Sequence, residues 1–524
     1  MSSSYFWDIV QFRRQTDAKR EAILDFDTGR RYSWEDIANR SCKLANYLTN
    51  ELSLKKGDCV GFISPTSIAM IDLYFASCLT GVVISAYNYR LKTDELAVLL
   101  ENESPRLLFY AEKYQASVIE AAKRCPTSPR ILCIDNADAH QESDYEATVL
   151  RNGSSVENLS PCLSMSDPQL LVHTGGTTGI PKAAVLSQNA VFMNAMSEVL
   201  SWQLGKDDIS YVGMPFYHTG GWNVLSLSVL AAGGRIVLAK EFSARTFLAI
   251  AEAEKPTLFM GTDTMYQLIA EHERFAETDL SSYRCLFSGG GPVSEATLPH
   301  YWNRGLRLLV GYGMSESGPN NLAPSIATEL EQNKKKPLCI GRPMAFTEAA
   351  IVDDSDKPVE PGTPGNLLLR GALSFSGYWN DAAATEQAFV NGWVRTGDIG
   401  YRDDEGDYYI CGRKKNMYIS GGENIFPTEI ERCLLRCPGV REVCVIGVSD
   451  EHWGEVGKAL IVPKDNTEIT IEIIKDFLED NISAIKRPRY VELVSSIPKN
   501  TLGKRDERTI RACYGNPKPS GDCQ

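Results

Sequence analysis

Leu170-Leu171-Val172-His173-Thr174-Gly175-Gly176-Thr177-Thr178-Gly179-Ile180-Pro181-Lys182 is the stretch on which the reading of this chain turns. Its apolar start, 170–172, reads as a short buried strand that breaks into a loop of glycines and threonines. Gly175, Gly176 and Gly179 let the backbone take positive φ and approach a ligand without Cβ clashes. Successive backbone N–H groups in such a loop make a concave anion site, and the hydroxyls of Thr174, Thr177 and Thr178 add donors. Lys182 supplies a compact positive charge. Together they describe a phosphate cradle, with a surface loop of small polar residues as the alternative reading. A Walker A loop is excluded, because it needs Gly-x4-Gly-Lys-Ser/Thr. Here Pro181 precedes the lysine and Ala183 follows it.

A chain of 524 residues exceeds one ordinary core, so at least two domains are expected. A net charge of −13 argues against a nucleic-acid surface, though a local basic cluster can still bind an anionic substrate. The 14 cysteines form no CxxC pair or regular framework, which points to free thiols in a reducing compartment. The N-terminus lacks the basic-then-apolar pattern of a leader. No apolar run reaches the ~20 residues needed to span a bilayer. A cytoplasmic location is expected.

Along the chain, Ser33 followed by Asp36 reads as a helix start. Strand patterns at Cys59–Ile63, 81–85, Leu107–Tyr110 and 130–134 alternate with helical ones such as 68–79. That alternation implies a parallel sheet with helices on its faces. Residues 136–168 are polar and read as a surface connector. Segments 340–343 and Gly365–Gly371, with a hairpin over 401–410, read as a small β subdomain. Beyond it, a helix at Pro427–Leu435, strands at 440–447 and 459–463 and a helix at 469–479 are enough for a small α+β domain.

Several motifs carry candidate chemistry. In Gly311-Tyr312-Gly313-Met314-Ser315-Glu316, Tyr312 can stack on a purine and Ser315 can donate to a phosphate. Glu316 offers a hard oxygen to Mg²⁺, or is a helix N-terminal acid answering the dipole. Trp393-Val394-Arg395-Thr396-Gly397-Asp398 places a carboxylate on a turn, where Asp398 can accept two ribose hydroxyls or merely cap the turn. Gly289-Gly290-Gly291-Pro292 ends a strand and matches no dinucleotide fingerprint. His218, read on the residue alone, is a hydrogen-bonded structural histidine or a functional one. Gly220, Gly221 and Gly261 suggest room beside it. Trp222 and Met260 suggest walls, or plain core.

Thr174-Gly175-Gly176-Thr177-Thr178-Gly179-Ile180-Pro181-Lys182 resembles the phosphate-loop signature of the adenylate-forming superfamily, which includes acyl-CoA synthetases, luciferases and peptide-synthetase adenylation domains. Four further elements resemble that family in order: Gly-Tyr-Gly-Met-Ser-Glu at 311–316, Thr-Gly-Asp at 396–398, Gly-Arg-Lys-Lys-Asn at 412–416, and Gly503-Lys504. The chain departs from the usual pattern at Gly175 (commonly Ser), Ala183 (commonly Gly), Asp263 (commonly Pro) and Asn416 (often Asp).

The resemblance implies a large N-terminal domain, 1–412, of parallel-rich sheets with flanking helices and a small β subdomain. A smaller, mobile α+β domain, 413–524, follows, hinged near Lys415. It also implies activation of a carboxylic acid by ATP with Mg²⁺, then transfer of the acyl group to coenzyme A. A carrier-protein thiol is the alternative acceptor, and a non-catalytic acyl- or ATP-binding homologue is the alternative of another class. Thr177, His218, Glu316 and Lys504 are implied as the catalytic set, with Glu316 on the metal, Lys504 between carboxylate and α-phosphate, and His218 as a gate of the carboxylate pocket. The 289–292 turn lies against adenine, Arg413 contacts ribose or phosphate, and the Gly421-Gly422-Glu423 loop faces the site for the thiol step. Amino acid substrates are disfavoured, since His218-Thr219-Gly220 stands where adenylation domains carry an aspartate for the substrate ammonium.

Overall fold

The computed structural model describes residues 8–135, 143–151, 163–174, 181–291, 293–465, 467–499 and 505–516. Two largely parallel sheets form the body. One has six strands in the order Arg130–Cys133, Leu107–Tyr110, Cys59–Ile63, Val83–Ala86, Pro168–Thr174 and Lys182–Ser187, antiparallel at the last pair. The other has seven, in the order Leu308–Val310, Cys285–Ser288, Leu258–Gly261, Ile209–Val212, Arg235–Leu238, Glu21–Asp25 and Arg31–Ser33, again antiparallel at the last pair. Strands such as Cys59–Ile63 and Leu107–Tyr110 are buried at every position. Uninterrupted apolar runs of this kind suit parallel strands covered on both faces.

Helix Ile68–Thr80 is buried at eleven positions. It shares one core with Val60 and Phe62 of the six-stranded sheet and with Ile236 and Phe287 of the seven-stranded one. A helix apolar on all sides belongs inside, and this one is packed between the two sheets. Helix Trp34–Asn46 starts where Ser33 and Asp36 form the expected capping box.

The segment expected as a polar surface connector is partly inside. Among its described residues, Tyr145 and Val149 are buried in that same core. The phenol of Tyr145 donates to Asp72 at 2.8 Å. Asp72 is fully buried and also takes a two-pronged pair from Arg40, at 2.7 and 3.0 Å. A buried carboxylate is tolerated only when its oxygens are satisfied, and that need draws the connector inward.

The expected β subdomain is a five-stranded antiparallel sheet of Thr347–Val352, Gly365–Gly371, Trp393–Arg402, Phe389–Val390 and Tyr408–Arg413. Sheet membership changes across the turn Lys414–Asn416, since Tyr418–Ser420 belongs to a separate sheet. That last sheet contains the long hairpin Val440–Asp450 and Gly454–Pro463. Its residues alternate between two small cores: Val443 and Val445 face one, Cys444 and Ile446 the other. Helices Pro427–Leu435 and Ile471–Asn481 cover the first of these. The twelve cysteines among the described residues are all free thiols, ten of them buried.

Candidate active site

Residues 175–180 of the glycine–threonine loop, with Thr177 and Thr178, lie outside the described residues, as do Pro292 and Lys504. The loop's two ends are described. Thr174 and Lys182 pair across antiparallel strands, and the Thr174 hydroxyl donates to the Lys182 carbonyl at 3.4 Å. The chain therefore re-enters as a strand, whereas a Walker A loop opens a helix.

Lys182 Nζ sits 3.4 Å from Asp381 and 5.3 Å from the ring centroid of Tyr378. The Tyr378 phenol donates to Glu316 Oε1 at 2.8 Å. Burial, reinforced by the Glu316 carboxylate, pushes that phenol well above its usual range. Tyr378 thus bridges the base of the glycine–threonine loop and the acid expected to hold metal. Sequence reading missed both Tyr378 and Asp381. Their signal was Gly377-Tyr378-Trp379 followed by Asn380-Asp381, an aromatic pair between turn residues.

Glu316 and Ser315 lie in the turn of a hairpin between strands Tyr312–Met314 and Gly318–Ala323. No helix begins there, so the reading of Glu316 as a helix N-terminal acid is corrected. Gly313 is demanded by the hairpin: a Cβ there would lie 2.1 Å from the Pro319 carbonyl oxygen. No group of three metal-ligating side chains occurs among the described residues. A single buried carboxylate suits Mg²⁺ that arrives with a triphosphate and keeps phosphate and water ligands, rather than a resident ion in a protein cage.

Tyr312 points elsewhere. Its hydroxyl donates in a short bond to Asp398 Oδ2, and Arg413 Nε meets Asp398 Oδ1 at 2.8 Å. Arg413 is held in turn by the Thr396 carbonyl at 3.0 Å. Asp398 was expected on a turn, but it lies within strand Trp393–Arg402, opposite Arg413 in register. The hairpin extends far enough to pair them. Burial raises the Asp398 carboxyl above its ordinary value, opposed by Arg413 and the Tyr312 hydrogen bond.

Met260, Gly261, Gly289, Gly290, Gly291 and Gly311 gather at the carboxyl ends of three adjacent parallel strands. In parallel sheets that is where ligands bind. The Met260 methyl lies 2.9 Å from where a Gly289 Cβ would stand, while Cβ positions on Gly290 and Gly291 meet open space. The Gly311 N–H donates to the Ser288 carbonyl at 2.8 Å, tying two of these strand ends together.

The pocket residues need corrections. His218 Nδ1 accepts the Gly220 N–H at 3.1 Å and caps the short helix Thr219–Trp222. Gly221 is not there for room, since a Cβ would stand 2.3 Å from the Pro215 carbonyl oxygen. Gly261 likewise faces the Phe259 ring at 2.8 Å. Trp222, read as a wall or plain core, stacks on Tyr74 at 4.0 Å with Phe75 and Phe216 edge-on, and is a core residue.

In the last sheet, Gly421 and Gly422 have φ of +57° and +88°. Gly421 donates to the Trp453 carbonyl at 2.9 Å, and a Cβ on it would press 2.6 Å against the Trp453 ring. Glu423 opens the next short strand, Glu423–Ile425. Lys415 sits in the turn Lys414–Asn416, and Asn416 donates to Glu507 at 2.9 Å. Arg505, which follows Lys504, bonds Glu431 at 2.6 Å and the Val443 carbonyl at 2.8 Å. It pairs with Lys499 across an isolated bridge. These contacts fix both ends of the segment that carries Lys504.

Comparison with known proteins finds relatives along most of the chain. The model of a family described as AMP-binding enzyme matches residues 11–379, and that of the AMP-binding enzyme C-terminal domain matches 429–504. A feruloyl-CoA synthase of Amycolatopsis sp. is 32% identical over 487 residues, covering 93% of this chain and 95% of that enzyme. An indoleacetate–CoA ligase of Aromatoleum aromaticum is 33% identical, covering 86% and 88%. The solved structure of ATP-bound MatB from Rhodopseudomonas palustris is 26% identical and superposes with a TM-score of 0.87, covering 97% of this chain and 99% of that one.

Proposed function

The chain belongs to the AMP-binding enzyme family, and from that premise we propose that it joins a carboxylic acid to coenzyme A at the expense of ATP. It is an acid–thiol ligase that forms AMP. The carboxylate attacks the α-phosphorus, the bond to the bridging oxygen breaks, and pyrophosphate leaves. The CoA sulfur then attacks the acyl carbonyl and AMP departs.

The observation that carries this reading is the Tyr312–Asp398–Arg413 cluster, set with Glu316 around glycine-lined strand ends. Asp398 presents two oxygens to the ribose hydroxyls, and Arg413 orients it. Tyr312 offers its ring to adenine. The loop flanked by Thr174 and Lys182 takes the β- and γ-phosphates, and Ser315 donates to the α-phosphate. Mg²⁺ held by Glu316 would neutralise charge on the departing pyrophosphate. Tyr378 keeps Glu316 in place. Lys504 bridges two anions that otherwise repel, so positioning supplies most of the rate. Rotation of the residues beyond Lys415 then withdraws Lys504 and brings Gly421, Gly422 and Glu423 to the thiol, while Arg413 stays paired with Asp398.

ATP–pyrophosphate exchange with ferulate, indoleacetate and a long-chain fatty acid tests the first step. Thioester formation with CoA, against a phosphopantetheine carrier, tests the second. Absence of acid-dependent exchange across a broad panel would overturn the reading.

A further inference from the structure

Glu198 lies in helix Gln188–Ser201 with no exposed surface. Four donors converge on its two oxygens. Asn194 Nδ2, at 3.1 Å, and Asn320 Nδ2 meet Oε1. The Leu225 N–H at 3.0 Å and the Ser228 hydroxyl at 2.6 Å meet Oε2. All four groups are uncharged, and all four donate. An arrangement with donors alone matches a carboxylate, which only accepts.

Asn194 shares the helix of Glu198, and the other three partners lie on the junction residue Leu225, on helix Ser226–Ala231 and on strand Gly318–Ala323. Leu225 stands at φ +62°, a left-handed conformation that a leucine adopts only when held there. It joins the short helix behind His218 to helix Ser226–Ala231. Asn194 Nδ2 also donates to the Asn223 carbonyl at 2.6 Å, and Asn223 donates to the Thr219 hydroxyl at 2.9 Å. Ser226 donates to the Gly221 carbonyl. The whole stretch from Thr219 to Ser228 is thereby pinned through Glu198. On the other side, Asn320 is in the strand that leaves the Glu316 turn. The neighbouring Asn321 Nδ2 donates to the Ser317 carbonyl at 2.8 Å.

We propose that Glu198 is a positioning residue for the adenylation step, holding the His218–Gly221 segment and the Glu316 turn in one frame so that acid and metal ligand meet at fixed separation. The proposal rests on the acid–CoA ligase reading, which places the acid beside His218. Burial pushes the Glu198 carboxyl up to about 7, with the four donors opposing. Above neutrality all four donors meet an ionised carboxylate, and below it one of them faces the added proton, although burial favours that protonated form overall.

The test is pyrophosphate exchange, which leaves out the CoA thiol. Glu198→Gln presents an amide to two of the donors. It raises KM for the acid roughly tenfold with KM for ATP changed less than about twofold, the size expected for a lost charged hydrogen bond. Wild-type kcat/KM is expected to rise near pH 7, and the variant lacks that rise. Ser228→Ala deletes one donor without touching the carboxylate, and it shifts that rise to higher pH. It serves if Glu198→Gln fails to fold. Unchanged acid KM and pH profile in both variants overturn the proposal. So does a loss shared equally by acid and ATP with the profile intact, which marks a merely structural role. Hydrogen exchange over residues 216–230 needs no turnover: faster exchange there in Glu198→Gln, with Cys285–Ser288 unchanged, supports the frame, and equal exchange overturns it. Wild-type protein without acid-dependent exchange condemns the ligase reading, while the hydrogen-exchange result still decides the frame.

Discussion

The phenol of Tyr312 donates to one oxygen of Asp398 while Arg413 holds the other at 2.8 Å. These three residues come from two strands of one hairpin and from a strand of a different sheet. Asp398→Asn keeps the shape and removes a charged acceptor. KM for ATP rises about tenfold to a hundredfold, since hydrogen bonds to charged groups are worth about 1.5–3 kcal/mol. The fold stays intact, because a buried carboxyl already raised by its surroundings gains little stability from its charge. Steady-state kinetics and a melting curve check both halves.

Tyr378→Phe deletes the 2.8 Å bond to Glu316 and leaves the ring beside Lys182. A neutral donor lost to a carboxylate costs on the order of 1–2 kcal/mol. kcat for adenylation falls about five- to thirtyfold, and more Mg²⁺ is needed for half-maximal rate. Titrating Mg²⁺ at saturating ATP and acid checks this; an unchanged Mg²⁺ dependence would remove Tyr378 from the site.

Lys504→Ala abolishes acid activation, yet spares thioester formation from supplied acyl-AMP and CoA. Parallel assays of the two half-reactions separate these. Equal loss of both steps assigns Lys504 to something other than the first.

Gly421→Ala places a methyl at φ +57° against the Trp453 ring. The strain is local to the loop expected to serve the thiol. Thioester formation slows at least several-fold while pyrophosphate exchange is unchanged, a split read from single-turnover kinetics.

Glu198 also shapes the stability curve. Its folded value of about 7 stands above the ordinary 4.5, so the native chain holds a proton that the unfolded chain has released. With the folded value raised, the contribution is full below about 4.5 and is lost as pH climbs through 7. Between pH 5 and 8 that loss amounts to roughly 2–3 kcal/mol. Glu198→Gln lacks it, and urea unfolding at the two pH values shows a smaller difference in the variant.

The sequence by itself determined what depends on local pattern. Buried strands such as Cys59–Ile63 and Leu107–Tyr110 were legible as apolar runs. The Ser33–Asp36 cap and helix Pro427–Leu435 were legible because capping and proline signals act within one turn of chain. The glycines at 289–291 marked the end of strand Cys285–Ser288, where Gly290 takes a φ of +77° that favours glycine.

What tertiary structure decided was every relation between residues far apart in the chain. Tyr378 and Glu316 are 62 positions apart and Tyr312 and Asp398 are 86, so no spacing rule couples them. Trp222 and Gly221 looked like pocket furniture, because a side chain's type does not say which face it turns to the core. Glu198 was invisible for the same reason. A glutamate in a helix reads as solvated surface until the fold buries it and aims four donors at its oxygens.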